Sequence, residues 1–323
     1  MARRARDERL ARGGTGVLSP TVPRHDWTVT SLALFDVPLD SSGAGRGEEH
    51  APEALRAAGL RERLQARDAG GVEAARIRDS RRDPVTGVIG AAEVRSASGA
   101  IASKVREVIG AGERPVILGG DCTLLLGVFQ ALGGGVGLWL IDGHADFHDG
   151  DLSPTGEAAD MELSILTGHG PDGLLDGDEP MLDPGAVVLL GHRPGALAPE
   201  VAAENARLDP AVEAHTALQI RERGPSAVGA AARARLEAMP AWLHVDLDVL
   251  DETALPAVSY PQPQGLDWRE LVGLAAPLAA APNLVGVSVA DFNPDRDPDG
   301  AQARRVVDAL AELLRPAGVA ERP

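Results

Sequence analysis

The segment Val136-Gly137-Leu138-Trp139-Leu140-Ile141-Asp142-Gly143-His144-Ala145-Asp146 decides how the chain is read. An uncharged run ending at Ile141 passes at once into acid, imidazole and acid at alternate positions. A nearly continuous apolar run of this length is what a parallel strand buried on both faces requires. Strand alternation sends residues i, i+2 and i+4 to one side, so Asp142, His144 and Asp146 converge where the strand ends.

The same pattern recurs outward from this segment. Short apolar runs at Ser31–Val37, Pro115–Leu118, Ala186–Leu190, Trp242–Val245 and Leu284–Val289 alternate with helical spacing at Pro52–Leu64, Ala91–Gly110, Ser226–Met239, Trp268–Ala279 and Ala301–Leu314. Alternating strand and helix predicts an α/β fold of three layers, with a central, mainly parallel sheet between helices. No Ser/Gly/Pro linker divides the alternation, so residues 29–323 are expected to form a single domain. Residues 1–28, with Arg, Gly and Pro but no sustained period, are expected to be a flexible arm. Two long polar segments, Asp149–Glu162 and Leu250–Leu266, each follow the C-terminal end of a strand, where open α/β sheets place ligands.

Composition narrows the partners. The 323 residues carry 48 acids against 31 bases, a net charge of -17. No basic stripe is present to meet phosphates, which argues against nucleic acid and anionic membranes and leaves a small cationic substrate or plain solubility. Cys122 is the only cysteine, so no internal disulfide forms. The charged start, Met1 to Arg6, lacks the apolar core of a signal peptide. The uncharged stretch Leu271–Ala290 is broken by Pro277, Pro282 and Asn283 and reads as a helix end followed by a strand. A cytoplasmic location is expected.

The other strand ends repeat the polar chemistry: Gly119-Gly120-Asp121-Cys122, Asp246-Leu247-Asp248, and Asp291-Phe292-Asn293-Pro294. Asp142, Asp146, Asp246 and Asp248 crowded around His144 would repel unless cations neutralised them. That donor set suits two Mn²⁺-like ions better than one. A lone strand-end Asp is ordinarily a cap or turn residue; pairing and alternation are what set these four apart. Asp121 reads as a helix cap or a ligand-orienting group, and Cys122 taken alone as a small core residue. His148 fits a hydrogen bond behind the site or plain solvent exposure. His169, His192, His215 and His244 carry no reading beyond structure.

In order and spacing, Gly119–Cys122, Asp142–Asp146 and Asp246–Asp251 resemble the Gly-Gly-Asp-His, Asp-x-His-x-Asp and Asp-x-Asp-x-x-Asp motifs of the arginase/agmatinase family of ureohydrolases. The opening segment Asp36–Leu60, the turn Gln264-Gly265-Leu266 and Phe292-Asn293-Pro294 extend the resemblance over most of the chain. It implies an arginase-like αβα catalytic domain, a homo-oligomer (trimer or hexamer), and hydrolysis of a guanidino or amidino C–N bond by a hydroxide bridging two divalent ions. By the same resemblance Asp142 and Asp246 bridge both ions, His144 and Asp248 hold one, and Asp146 with position 122 hold the other. Asp146 would also accept a hydrogen bond from the hydroxide and help protonate the leaving amine. Asp291 stands where the family has a Glu that pairs with the guanidinium.

Two departures carry information. Cys122 replaces the family's first His ligand: either its thiolate holds a metal retuned from Mn²⁺ toward Zn²⁺ or Fe²⁺, or it stays a thiol beside a weak site. Ala159 stands where arginases have a proton-shuttling His. Glu157 and Asp160, expected on the substrate side, bring negative charge where an α-carboxylate would be held, which disfavours free arginine. The alternatives are a formimino or hydroxyguanidino substrate, or an arginase-fold protein that has lost catalysis and keeps a structural or regulatory role.

Overall fold

The computed structural model describes residues 31–73, 76–175 and 180–314; the arm expected at residues 1–28 lies outside them. The strands are β1 (Leu32–Val37), β2 (Arg67–Gly71), β3 (Arg114–Gly119), β4 (Gly137–Ile141), β5 (Val187–Gly191), β6 (Glu213–Thr216), β7 (Ala241–Asp246) and β8 (Leu284–Ala290). They form one sheet in the order β2-β1-β3-β8-β7-β4-β5-β6, every neighbouring pair parallel. β8 is the join: it pairs with β3 on one side and β7 on the other.

Alternation builds the two faces. Val116, Leu118, Trp139, Ile141, Leu243 and Val245 enter one apolar cluster with the helices Ala51–Ala57, Pro225–Arg235, Trp268–Ala279 and Ala301–Leu314. Ile117, Leu138, Leu140, Trp242 and Val285 enter the other, with Ala91–Gly110 and Leu124–Leu132. Both faces of the sheet are therefore dry, which explains why its central strands read as unbroken apolar runs. The three-layer α/β architecture is the one the sequence predicts.

The differences in detail have physical causes. β2 (Arg-Asp-Ala-Gly-Gly) and β6 (Glu-Ala-His-Thr) are edge strands whose sequences lack an apolar run. The expected helix Pro52–Leu64 is two, Ala51–Ala57 and Leu60–Leu64, because Gly59 sits between them at φ 91°. Leu124–Leu132 is buried almost all round and so shows no polar face to mark it as a helix. Leu271–Ala290 is the helix ending at Ala279 followed by β8. Among the described residues no helix is long and apolar enough to cross a membrane.

The turn after β3 is clamped to the rest of the edge. Gly120 N–H donates to the Val37 carbonyl at 2.9 Å, and Asp121 N–H to Leu39 at 3.0 Å. The Gly120 carbonyl accepts from Asp291 N–H at 2.7 Å. A Cβ on Gly120 would stand 1.8 Å from the Leu39 carbonyl oxygen, so no other residue fits there without moving backbone. A Cβ on Gly99, inside the helix Ala91–Gly110, meets nothing within 4 Å. Chemical denaturation should therefore show Gly99→Ala stabilised by about 0.5–1 kcal/mol and Gly120→Ala destabilised by about 1–3 kcal/mol. Equal midpoints for the two variants would contradict this packing.

Candidate metal centre

The four central strands β3, β8, β7 and β4 end side by side, and each delivers chemistry to the same edge. From β4 come Asp142, His144 and Asp146; from β7, Asp246 and Asp248; the turn after β3 gives Cys122 and the end of β8 gives Asp291. Backbone amides hold the acids in place. His144 N–H donates to Asp142 Oδ1 at 2.7 Å, Gly143 N–H to Asp248 Oδ1 at 3.1 Å, and Asp248 N–H to Asp246 Oδ1 at 2.6 Å. Asp146 and Asp291 are both left-handed, φ 46° and 64°. For residues with a Cβ this costs on the order of 1–2 kcal/mol each, tolerated where the surroundings fix the backbone.

Donor atoms collect in three overlapping groups, each with its ligand atoms within 4.8 Å of one another. One is Asp142, His144 and Asp248; a second is Cys122, Asp142, Asp146 and Glu162; the third is Cys122, His244 and Asp246. All six residues expected as ligands from the sequence fall in this cluster, with Asp142 shared between the first two groups. Glu162 and His244 are additions. His244 lies two residues before Asp246 on β7, the same alternation that groups Asp142 with His144, but it sits inside a strand and so reads as core. Glu162 closes the polar loop Asp149–Glu162 between apolar Met161 and Leu163, and only tertiary structure brings it to Asp146.

The cluster is dry and strongly acidic. Burial, and then Asp248, push Asp142 up to about 7. Burial raises Asp146, Asp246 and Asp291 well above the carboxylate range, reinforced by their acidic neighbours. The Cys122 thiol rises for the same reasons, burial first and then Asp246 and Asp291. Burial opposes charge on His144, but Asp248, 2.9 Å from Nδ1, outweighs it and carries the imidazole up to about 10. Such a set of oxygen, sulfur and nitrogen donors is short of positive charge and fits divalent cations.

Behind the cluster, Arg193 is 1% exposed and spends its guanidinium on backbone. It donates to the carbonyls of Asp248, Val249, Leu250, Gln262 and Pro263 at 2.9–3.1 Å, fixing the loop that follows β7. Asp251 is turned away and caps a turn at Thr253. Asp121 accepts from Ser41 N–H and Thr123 N–H, a structural role.

His244 belongs to a directed chain of hydrogen bonds. The Trp242 indole can only donate, and its Nε1–H meets Ser288 Oγ at 2.9 Å. Ser288 Oγ also lies 2.7 Å from His244 Nδ1. If Ser288 accepts from the indole and donates its own proton to Nδ1, every group is satisfied. The His244 proton then sits on Nε2, which faces Cys122 Sγ at 3.1 Å. Burial holds this imidazole neutral, down to about 3. His244 is thereby a donor to sulfur, with no lone pair at Nε2 for an ion. Cys122 Sγ in turn stands 2.7 Å from Asp246 Oδ2 and 3.2 Å from Asp291 Oδ2.

A cavity opens over the cluster. Asp146, Asp246, Asp248 and Asp291 line it, together with Glu157, Asp160, Glu200, Glu204, His148 and Ala159. Among the described residues no Lys or Arg lines it. Glu157 is paired: Arg46 grips it through both guanidinium nitrogens, and Tyr260 O–H donates to it at 3.1 Å. Arg46 also stacks on the Tyr260 ring, 4.8 Å from its centroid. Asp160 accepts from Ser153 and Thr155 hydroxyls at 2.7 and 2.5 Å, leaving Oδ1 buried without a donor. His148 Nδ1 accepts from Arg207 at 3.1 Å.

Comparison with known proteins places this geometry. The sequence profile of the arginase family matches residues 30–315. Arginase of Bacillus caldovelox is 25% identical over 295 residues, covering 88% of this chain and 97% of its own. Guanidinopropionase of Pseudomonas aeruginosa is 28% identical over 220 residues, 65% of this chain and 62% of its own. The crystal structure of arginase from Bacillus subtilis superimposes with a TM-score of 0.79 at 25% identity, covering 90% of this chain and 100% of that one.

The direction of the buried relay can be read independently of any reaction. In long-range ¹H–¹⁵N spectra His244 should show the Nε2–H tautomer, and Ser288→Ala should shift it toward Nδ1–H by removing the donor to Nδ1. An Nδ1–H tautomer in the unsubstituted protein would reverse the assignment and return His244 Nε2 to the set of possible ligands.

Proposed function

The chain belongs to the arginase family, with Cys122 in place of the usual His ligand, and from that premise we propose that it is a metal-dependent hydrolase of a guanidino or amidino C–N bond. The observation that carries this reading is the cavity itself: it is lined by Asp146, Asp246, Asp248 and Asp291, and among the described residues no Lys or Arg lines it. Such a pocket favours a small planar cation and disfavours a carboxylate, which would need a basic partner. The names of the relatives, arginase and guanidinopropionase, support the same class.

The donor set fits two divalent ions, with Mn²⁺ the first candidate and Zn²⁺ or Fe²⁺ admitted by the sulfur of Cys122. Cys122, Asp142, Asp146 and Asp246 would hold one, and Asp142, His144, Asp246 and Asp248 the other; when bound they supply Lewis acidity and activation of water near neutral pH. Asp291 then receives the substrate, its carboxylate accepting N–H groups of the guanidinium in the cavity. Asp146, which lines the cavity, is placed to accept a proton and return it to the leaving nitrogen. Ala159 lines the cavity without a titratable group, so proton movement does not pass through that position. Asp160, with an oxygen lacking a donor, adds to the negative field of the cavity, whereas Glu157 acts through its pairing with Arg46. We read the protein as cytoplasmic and as a homo-oligomer, a trimer or hexamer, on family resemblance.

The test is a panel of guanidino, amidino, formimino and hydroxyguanidino compounds offered to Mn²⁺-, Zn²⁺- and Fe²⁺-loaded protein, with urea and ammonia measured separately. Turnover is expected with about two ions per chain. Asp248→Asn and Asp146→Asn should each lower kcat by on the order of 10²–10³-fold, and Asp291→Asn should chiefly raise KM. A protein that retains no ions and turns over nothing on the panel would favour the non-catalytic reading.

A further inference from the structure

We propose that Glu162 is a metal ligand, a further donor to the subsite formed by Cys122, Asp142 and Asp146. This rests on the hydrolase reading only in requiring that the centre bind ions. The ligand atoms of the four residues lie within 4.8 Å of one another. Glu162 is fully buried, and among the described residues only Asp146 and its own backbone N–H stand near enough to serve its carboxylate, neither in good hydrogen-bond geometry. Buried carboxylates are ordinarily hydrogen-bonded or neutralised. The polar neighbours of Glu162 are themselves acids, Asp146 and Asp142. A shared proton or a cation would neutralise such a group.

The backbone fixes Glu162 in this position. Ser164 N–H donates to the Asp146 carbonyl and His148 N–H to the Asp160 carbonyl, both at 3.3 Å, so the two segments run side by side. Ile165 N–H donates to Met161 at 2.8 Å and starts a helical turn, Glu162–Leu166. Met161 and Leu163 on either side are 0% exposed in the apolar core and anchor the segment there.

The chemistry of the subsite gives this further donor a purpose. Asp246, like Asp142, would be shared between the two ions, and an oxygen-rich site for an ion such as Mn²⁺ accepts up to about six donors, so the sulfur side has room for a further carboxylate. Asp142 is also shared with His144 and Asp248, which leaves less of it for the sulfur side. An additional carboxylate on that side adds to the shell without drawing on the neighbouring subsite.

The competing account is that Glu162 and Asp146 share a proton and bind nothing. Glu162→Gln separates the two, because the amide can donate to Asp146 but carries no charge for an ion. Full-length protein is titrated with Co²⁺ alone, in competition with a chelator, while the thiolate-to-cobalt absorption and the visible ligand-field bands are recorded. The unsubstituted chain should take up about two ions. Loss of partners outside the ligand shell typically costs 10–100-fold in affinity, so Glu162→Gln should weaken the sulfur-side ion by more than about 100-fold. It should also change the ligand-field intensity and leave the ion of Asp142, His144 and Asp248 bound. Glu162→Asp, on a shorter arm, should fall between, and supplies the comparison if Glu162→Gln does not fold. Unaltered affinity and spectrum in the variants would establish proton sharing and overturn the proposal while the hydrolase reading stands. Failure of the unsubstituted chain to bind Co²⁺ would overturn both.

Discussion

Mutual repulsion among buried negative charges is the constraint on which the rest of this structure depends. Asp142, Asp146, Glu162, Asp246, Asp248 and Asp291 are each less than a tenth exposed and form one cluster with the Cys122 thiol. Left free to move, such groups would separate or turn to water. They are held by elements with no such freedom: the ends of four adjacent parallel strands, flanked on both faces by apolar packing. Backbone amides of Gly143, His144 and Asp248 solvate part of the charge, His144 pairs with Asp248, and Arg193 locks the following loop from behind. The left-handed backbone at Asp146 and Asp291 fits the same account, since local strain is the consequence of fixing these carboxylates in place.

How much of this is legible in the sequence depends on whether the signal is local. The central strands announce themselves because burial on both faces demands unbroken apolar runs, and strand alternation alone groups Asp142 with Asp146 and Asp246 with Asp248. The edge strands Arg67–Gly71 and Glu213–Thr216 pair on one side only and need no such run. The helix Leu124–Leu132 is hidden by the opposite excess, apolar residues without a polar face. At the site, His244 obeys the alternation rule, but a histidine inside an apolar strand looks like core until Cys122 and Ser288 are seen against it. Glu162 and Arg193 owe their roles to contacts across loops, with nothing in neighbouring residues to disclose them.

The substitution at position 122 also takes on a different meaning in three dimensions. Read along the chain, it is the loss of an imidazole from the expected donor set. In space an imidazole is still beside the sulfur, supplied by β7 and oriented by Ser288 and Trp242. Gly286 belongs to the same arrangement: a Cβ there would fall 2.2 Å from the Trp242 ring, so the indole packs over a bare backbone. The centre is thus tuned from within the sheet as well as from its rim.

The sheet order has a consequence for how the molecule is made. β8 is the last of the eight strands in the chain but stands in the middle of the sheet, joining β2-β1-β3 to β7-β4-β5-β6. Until it is inserted, the turn bearing Cys122 and the strand ends bearing Asp142 and Asp246 belong to two separate half-sheets. During synthesis, which proceeds from the N-terminus, those halves can gain local structure early, but their union is a late, non-local event. Asp142, Asp146, Asp246 and Asp248 already share the half that holds β4 and β7, so what β8 adds last is Asp291 and the turn bearing Cys122. The full crowding of the centre waits until most of the chain has been synthesised.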